Sequence, residues 1–366
     1  MNERIAAGRD HTLVVNDNHT LYGCGDNSCG QLGVSSFFKV KKKKLRRFKL
    51  PPVLAVGAGQ CFTIAVDDER KVWGCGSNSF GQLGTSEAGD SGGQQNVPKI
   101  VDANLPPIVS VSCGSAHSLF LDEEGFVWGT GYNKNGCLGL GDRENRKEAV
   151  KIPNLPPIAK IACGDMISHF VDTNGRVWSS GDYQLYNYFT SDTTSPKVME
   201  DLTVKIKDVS CGLAHAVYLS ENHKIIVHGN LKDTKLRALA SADNLSEIEH
   251  APPFNKVVSG EQFALYLSQD GSLWGSGKLP FGVWEYHHNL RKLDEEQPTF
   301  VDLAVGDNHA LFVCDDGFVM SAGQNSCGCL GTGQLRRPKD TFNLIQNVSV
   351  SQTNSVRASP KNARNT

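Results

Sequence analysis

The sequence predicts an all-β chain folded as a seven-bladed β-propeller with short N- and C-terminal extensions. Three observations carry that expectation. Seven times two glycines stand 17 residues apart, at Gly8/Gly25, Gly59/Gly76, Gly114/Gly131, Gly164/Gly181, Gly212/Gly229, Gly260/Gly277 and Gly306/Gly323. Successive first glycines lie 46 to 55 residues apart, a period that belongs to stacked or radial repeats. Each unit reads as three to four short strands with no amphipathic helix between them, which excludes a solenoid of helix pairs. Seven such units closed in a ring leave only short, protected sheet edges.

Residues 108–139 show the unit most clearly. Val109-Ser110-Val111-Ser112 alternates apolar and polar side chains, the pattern of a half-buried strand. Gly114 opens a turn, and Ser118–Leu121 reads as a second strand. Asp122–Gly125 makes a hairpin turn in which Gly125 can take positive φ without steric cost, and Phe126–Gly129 returns with Trp128. The turn glycine recurs at Gly175, Gly271 and Gly317, whereas His19, Arg70 and His223 replace it, so those three turns are expected to differ in geometry.

An N-x-x-G-x-L-G turn follows the second glycine at Asn27–Gly33, Asn78–Gly84, Asn133–Gly139 and Asn325–Gly331. It is eroded in repeats four to six, at Tyr183–Phe189, Asn230–Arg237 and Lys278–Trp284. Leu-Pro-Pro at residues 50, 105 and 155 precedes repeats two to four, and Pro252-Pro253 keeps that register; proline suits a strand's first residue or an outer edge. The propeller is expected over residues 1–351, with repeats starting near 4, 55, 108, 158, 206, 256 and 301, and a disordered tail over 352–366. Asn347–Ser351 echoes Val109–Ser112 as if an eighth repeat began, and is expected beside the first or last blade.

These units resemble regulator-of-chromosome-condensation repeats, whose G-x-x-H, V-W-x-x-G and N-x-x-G-Q-L-G segments read here as Gly8–His11, Val72–Gly76 and Asn78–Gly84. The resemblance covers about residues 1–350 and implies a seven-bladed propeller. The Gly-His…Trp-Asp spacing of WD propellers and the paired-glycine logic of kelch propellers are absent. The resemblance further implies either a propeller that binds and regulates protein partners or, as in the namesake, a guanine-nucleotide exchange factor for a Ran-type small GTPase. Such exchange needs no catalytic acid or base, because a protein wedge distorts the nucleotide's phosphate and Mg²⁺ site. The segment Gly181–Thr194 is the nearest candidate for that wedge.

Several motifs invite a catalytic or metal reading and fail on chemistry. His11, His117, His215 and His309 share one register, but Phe62, Ile167 and Phe263 replace them there, so a core position bridging blades is expected rather than a site. Gly89–Gly93 spells GDSGG, yet a nucleophilic Ser91 needs a base, an orienting carboxylate and an oxyanion hole, and the surrounding Thr85–Asn96 reads as a loop. Cys327/Cys329 and Cys24/Cys29 lack the spacing of a zinc site. No cofactor, no metal and no catalytic residue are expected.

Charge distribution supplies the remaining candidates. Lys39–Lys49 holds eight of the 37 Lys and Arg and none of the 39 acids, so the rest of the chain is mildly acidic. The patch of Lys41, Lys42, Lys43, Lys44, Arg46 and Arg47 reads equally as an import signal or nucleic-acid and anionic-lipid surface, or as a lysine-rich outer strand that repels unwanted pairing. Ring closure makes blades six, seven and one neighbours, so Glu261, Asp307 and Asp10 are expected to form an acidic arc, with Asp165 apart, that contacts a basic partner surface. Eleven cysteines, a polar Met1–Ala7 and no run of about 18 apolar residues point to a reduced protein of cytoplasm or nucleus, acting as a monomer.

Overall fold

A computed structural model describes residues 3–34, 41–85, 93–101, 104–181, 194–213, 215–229, 245–248, 251–281, 287–293, 298–335 and 342–350. Among these, seven four-stranded antiparallel sheets follow one another along the chain, each made of four consecutive strands. Blade three is typical. Ile108–Cys113 is its inner strand, His117–Asp122 and Val127–Gly131 form the middle pair, and Arg146–Lys151 is the outer strand. No described helix is long and apolar enough to cross a membrane.

The core lies between blades rather than inside them. The second strand is buried at every position in all seven blades. Its two faces pack in opposite directions: Phe62, Ile64 and Val66 of blade two meet Ile108, Val111 and Phe120 of blade three. A fully buried Phe such as Phe120 contributes about 2 to 3 kcal/mol relative to an exposed one. Ile5 and Val14 of blade one join Leu311, Val313, Val319 and Val348 of blade seven in a cluster that closes the ring.

The 17-residue glycine pair has two physical causes. A Cβ at Gly8 would collide with the Gly59 carbonyl, one at Gly212 with Gly260, and one at Gly306 with Gly8, so the first glycines allow neighbouring blades to approach around the axis. The second glycines adopt φ between +85° and +129°, a region that L side chains avoid.

The hairpin turns correct one expectation. His19, Arg70 and His223 do not change the turn; they take φ of +56°, +65° and +63° beside +87° at Gly125. The reason is the bond that each turn residue's carbonyl accepts from the next blade's inner strand. Val53 N donates to His19 O at 2.7 Å, Ile108 N to Arg70 O at 3.1 Å, and Phe254 N to His223 O at 3.0 Å, as Ile158 N does to Gly125 O at 2.9 Å. The last of this series runs from Val350 N to Gly317 O at 2.8 Å. Asn343–Ser349 is therefore the outer strand of blade seven, and the residue after it makes the contact that a following repeat would make.

The prolines are also displaced from expectation. Pro52, Pro107 and Pro157 stand just ahead of the inner strands, where their carbonyls accept from Asp68, Glu123 and Thr173 of the same blade's hairpin. A second hairpin device was not anticipated. Asp67, Asp122 and Asp172 each accept two backbone N–H groups at Oδ1 and a tryptophan Nε1–H at Oδ2, from Trp73, Trp128 and Trp178 at 2.8, 3.0 and 3.2 Å.

Candidate functional site

The seven inner strands surround a central channel with a cavity of about 880 Å³. At one end the residues before the first glycines form a neck of Ala7, Ala58, Cys113, Cys163, Cys211, Ser259 and Val305, which lines both the channel and a mouth of about 310 Å³. Small side chains stand there because seven Cβ atoms converge on one axis. The residues after the first glycines line the mouth: Arg9, Gln60, Ser115, Asp165, Leu213, Glu261 and Asp307.

This geometry rearranges the expected acidic arc. Asp165 is not apart; the Glu261 carboxylate acts on it across blade five, and burial followed by that repulsion raises its carboxyl above the usual range. Burial, then Glu261, pushes Asp307 up to about 6, against the opposing pull of Arg9. Asp10 is one residue further along its turn and does not line the mouth. Burial raises it too, while Arg9 and Lys41 draw it down. Arg9 Nε stands 3.8 Å from Asp10 and 3.9 Å from Asp307, so it links the two. Ser115 Oγ donates to Asp165, and Asn308 Nδ2 donates to Glu261 Oε2 at 3.3 Å. The mouth thus gathers three carboxylates with one arginine, an arrangement that a further cationic group would relieve of its like-charge repulsion.

Deeper in the channel the inner strands carry an alternating ladder. Lys160 Nζ lies 3.6 Å from Asp208, Lys256 pairs with Asp302, and Glu3 lies close enough to feel Lys160, Lys256 and Asp208. These two lysines and three carboxylates leave one acid in excess, whereas the mouth sets three carboxylates against one arginine.

The repeat histidines are core residues. His11 Nε2 lies 3.2 Å from Thr63 Oγ1, His117 Nε2 lies 3.1 Å from Ser168 Oγ, and Thr12 Oγ1 lies 2.9 Å from His309 Nε2, each pair spanning two blades. Burial lowers His11, His117 and His215 to about 4 and His309 to about 3, which keeps them neutral. All eleven cysteines are free thiols, and no described cluster of His, Cys, Asp or Glu has the geometry to hold a metal ion.

The basic run is an ordered strand. Lys41–Arg47 is the outer strand of blade one, with Lys41, Lys43, Lys44, Arg46 and Arg47 exposed and Lys42 buried. Phe48 anchors its end in the core, and Gly333 N of blade seven donates to Lys43 O at 2.8 Å. The lysine-rich strand and the exposed basic surface are therefore the same object. Ser91 of the GDSGG segment, residues 182–193 of the candidate wedge and the tail from 351 lie outside the described residues.

Residues 3–31, 53–82, 108–137 and 300–329 match one profile of the "Regulator of chromosome condensation (RCC1) repeat", and residues 71–121 and 124–171 match another. These segments are regulator of chromosome condensation repeats. It is 35% identical over 147 residues to the human "Probable E3 ubiquitin-protein ligase HERC6", covering 38% of this chain but only 13% of that protein. To the "Guanine nucleotide exchange factor SRM1" of Saccharomyces cerevisiae it is 24% identical over 416 aligned positions, covering 92% of this chain and 84% of that one. The crystal structure of Prp20p from Saccharomyces cerevisiae, described with its binding properties to Gsp1p and histones, superposes with a TM-score of 0.78 at 20% identity. That alignment covers 94% of this chain and 88% of Prp20p, and it shows a shared fold.

Sequence reasoning missed two features of the mouth, Arg9 as the link between Asp10 and Asp307 and the inclusion of Asp165. The signal for the second was available, because the first residue after each glycine had to face the axis once the ring closed.

Proposed function

We propose that this repeat propeller acts by binding and regulating protein partners, and that its channel mouth is the contact face. The observation that carries the reading is the convergence of Asp165, Glu261 and Asp307 on one opening, with carboxyls held above their usual range at Asp165 and Asp307. A lysine or arginine from a partner entering the mouth replaces that repulsion with ion pairs, so binding is coupled to proton release near pH 6. No step requires a catalytic acid, base or nucleophile. The test is a pull-down with the chain carrying Asp165→Lys, Glu261→Lys and Asp307→Lys together. Loss of partners retained by the unaltered chain supports the reading, and an unchanged partner set overturns it.

A second reading, exchange on a Ran-type small GTPase, is favoured by the similarity to the yeast exchange factor over 92% of this chain. Nucleotide release from a purified Ran-type GTPase, measured with and without this protein, decides it: acceleration supports exchange, and no acceleration leaves the partner-binding reading alone. The exposed cations of Lys41–Arg47 offer a second surface for an anionic partner such as nucleic acid or chromatin, in the cytoplasm or nucleus. Binding there should weaken steeply with salt, and replacement of Lys43, Lys44, Arg46 and Arg47 by Ala should flatten that dependence.

A further inference from the structure

We infer that Cys29 and Cys61 form a redox-active dithiol at the interface of blades one and two, which a hydroperoxide converts to a disulfide linking them. The inference does not rest on the partner reading. Cys29 belongs to the Asn27–Gly33 turn of blade one, and Cys61 to the turn between the first two strands of blade two. The two turns meet across the blade interface, close enough for each thiol to act on the other, and both thiols are free and half-buried.

Both sulfurs are held by ordered backbone. The Cys29 turn is closed by Gly30 N to Asn27 O at 3.2 Å, Gly33 N to Gly30 O at 2.9 Å and Leu32 N to Asn27 Oδ1 at 2.9 Å. Across the interface, Gly59 N donates to Phe62 O at 3.0 Å and Ser77 N to Cys61 O at 2.9 Å. The blades are pinned to each other two residues from each sulfur, where Thr63 Oγ1 donates to Gln31 O at 2.7 Å.

The chemistry assigns distinct roles. The neighbouring Cys61 thiol, and then Ser28, lower the Cys29 thiol to about 6, which makes it the attacking sulfur, while Cys29 raises Cys61. The Cys29 sulfur attacks one oxygen of the peroxide. An S–O bond forms, the O–O bond breaks, and the departing hydroxide takes a proton to become water. The Cys61 sulfur then attacks the Cys29 sulfur of the sulfenic acid. An S–S bond forms, the S–O bond breaks, and the hydroxyl leaves as water with the Cys61 proton. Two electrons pass from the sulfurs to the peroxide.

The ring supplies its own control. Cys327 occupies the Cys29 register in blade seven, but its partner across the next interface is the carboxyl of Asp10 rather than a thiol. It has nothing to resolve with at that contact.

The experiment treats the full chain, freed of reductant, with hydrogen peroxide. Remaining thiols are blocked with iodoacetamide, and the protein is digested without reduction for mass spectrometry. The expected result is a linked Cys29–Cys61 peptide pair that forms before the other thiols are lost and disappears with dithiothreitol. In Cys61→Ser the link is absent and dimedone traps Cys29 as a sulfenic acid. Cys327→Ser leaves the link unchanged, and circular dichroism confirms that each variant is folded. The inference is overturned if the folded, unaltered chain yields no such pair, or if dimedone labels Cys327 as fast as Cys29 in Cys61→Ser.

Discussion

Replacing His215 by Phe should remove about 1.3 kcal/mol of the stability that the protein loses between pH 7.5 and 5.5, as worked from linkage. His215 is fully buried, and burial lowers its imidazole to about 4 against an ordinary value near 6.5. A folded value below the unfolded one gives stability that is complete above pH 6.5 and is lost as pH falls towards 4. At pH 5.5 about ten-elevenths of the unfolded imidazoles carry a proton and the folded one almost none, which costs about 1.4 kcal/mol, with about 0.1 already lost at pH 7.5. Phe fits the site, because Phe62 and Phe263 hold the same register in blades two and six, paired with Gly76 and Gly277 as His215 is with Gly229, and are fully buried there. The comparison of variant with unaltered chain also cancels the opposing effect of Asp307, whose raised carboxyl gains stability as pH falls through about 6. The assay is the urea midpoint of both chains at pH 7.5, 6.5 and 5.5. Equal losses in the two chains would refute the claim that the repeat histidine is held neutral by burial.

Three further outcomes test the architecture. Gly114→Ala places a methyl against the Gly164 carbonyl and the His117 ring, and should lower stability by about 3 kcal/mol in a thermal melt, since neither blade can yield at the axis. Ser268→Asp should raise stability by about 1 kcal/mol, because Trp274 Nε1 is buried with no partner among the described residues, where Trp73, Trp128 and Trp178 each bond an Asp. Asn133→Ala removes the acceptor of Leu138 N at 2.9 Å and the donor to Asp142 O at 3.0 Å, and should cost about 2 kcal/mol by chemical denaturation.

Local sequence carried much of the fold because each blade repeats one steric requirement. Gly8 and its equivalents must be glycine for the blades to meet, and a required glycine is visible without coordinates. The turn at Arg70 was misread for the complementary reason. A glycine in register announces positive φ, but an arginine forced into it by the bond from Ile108 N does not. The Asp122–Trp128 bond was equally legible as a six-residue spacing, yet its meaning depends on a hairpin that brings the two side chains to one edge.

By itself the sequence determined the number of blades, the register of the paired glycines and the demotion of the histidines, since exchange of His for Phe or Ile at one position already marks a packing role. Only the tertiary structure decided which charges share a space. Asp165 and Glu261 are 96 residues apart in sequence and Cys29 and Cys61 are 32 apart, and neither separation says anything of distance in a closed ring. Hydrogen bonding and close packing act locally, so repeated sequence records them repeatedly. Electrostatic repulsion at the mouth and the approach of the Cys29 and Cys61 turns act between blades, and they exist only once the ring has closed.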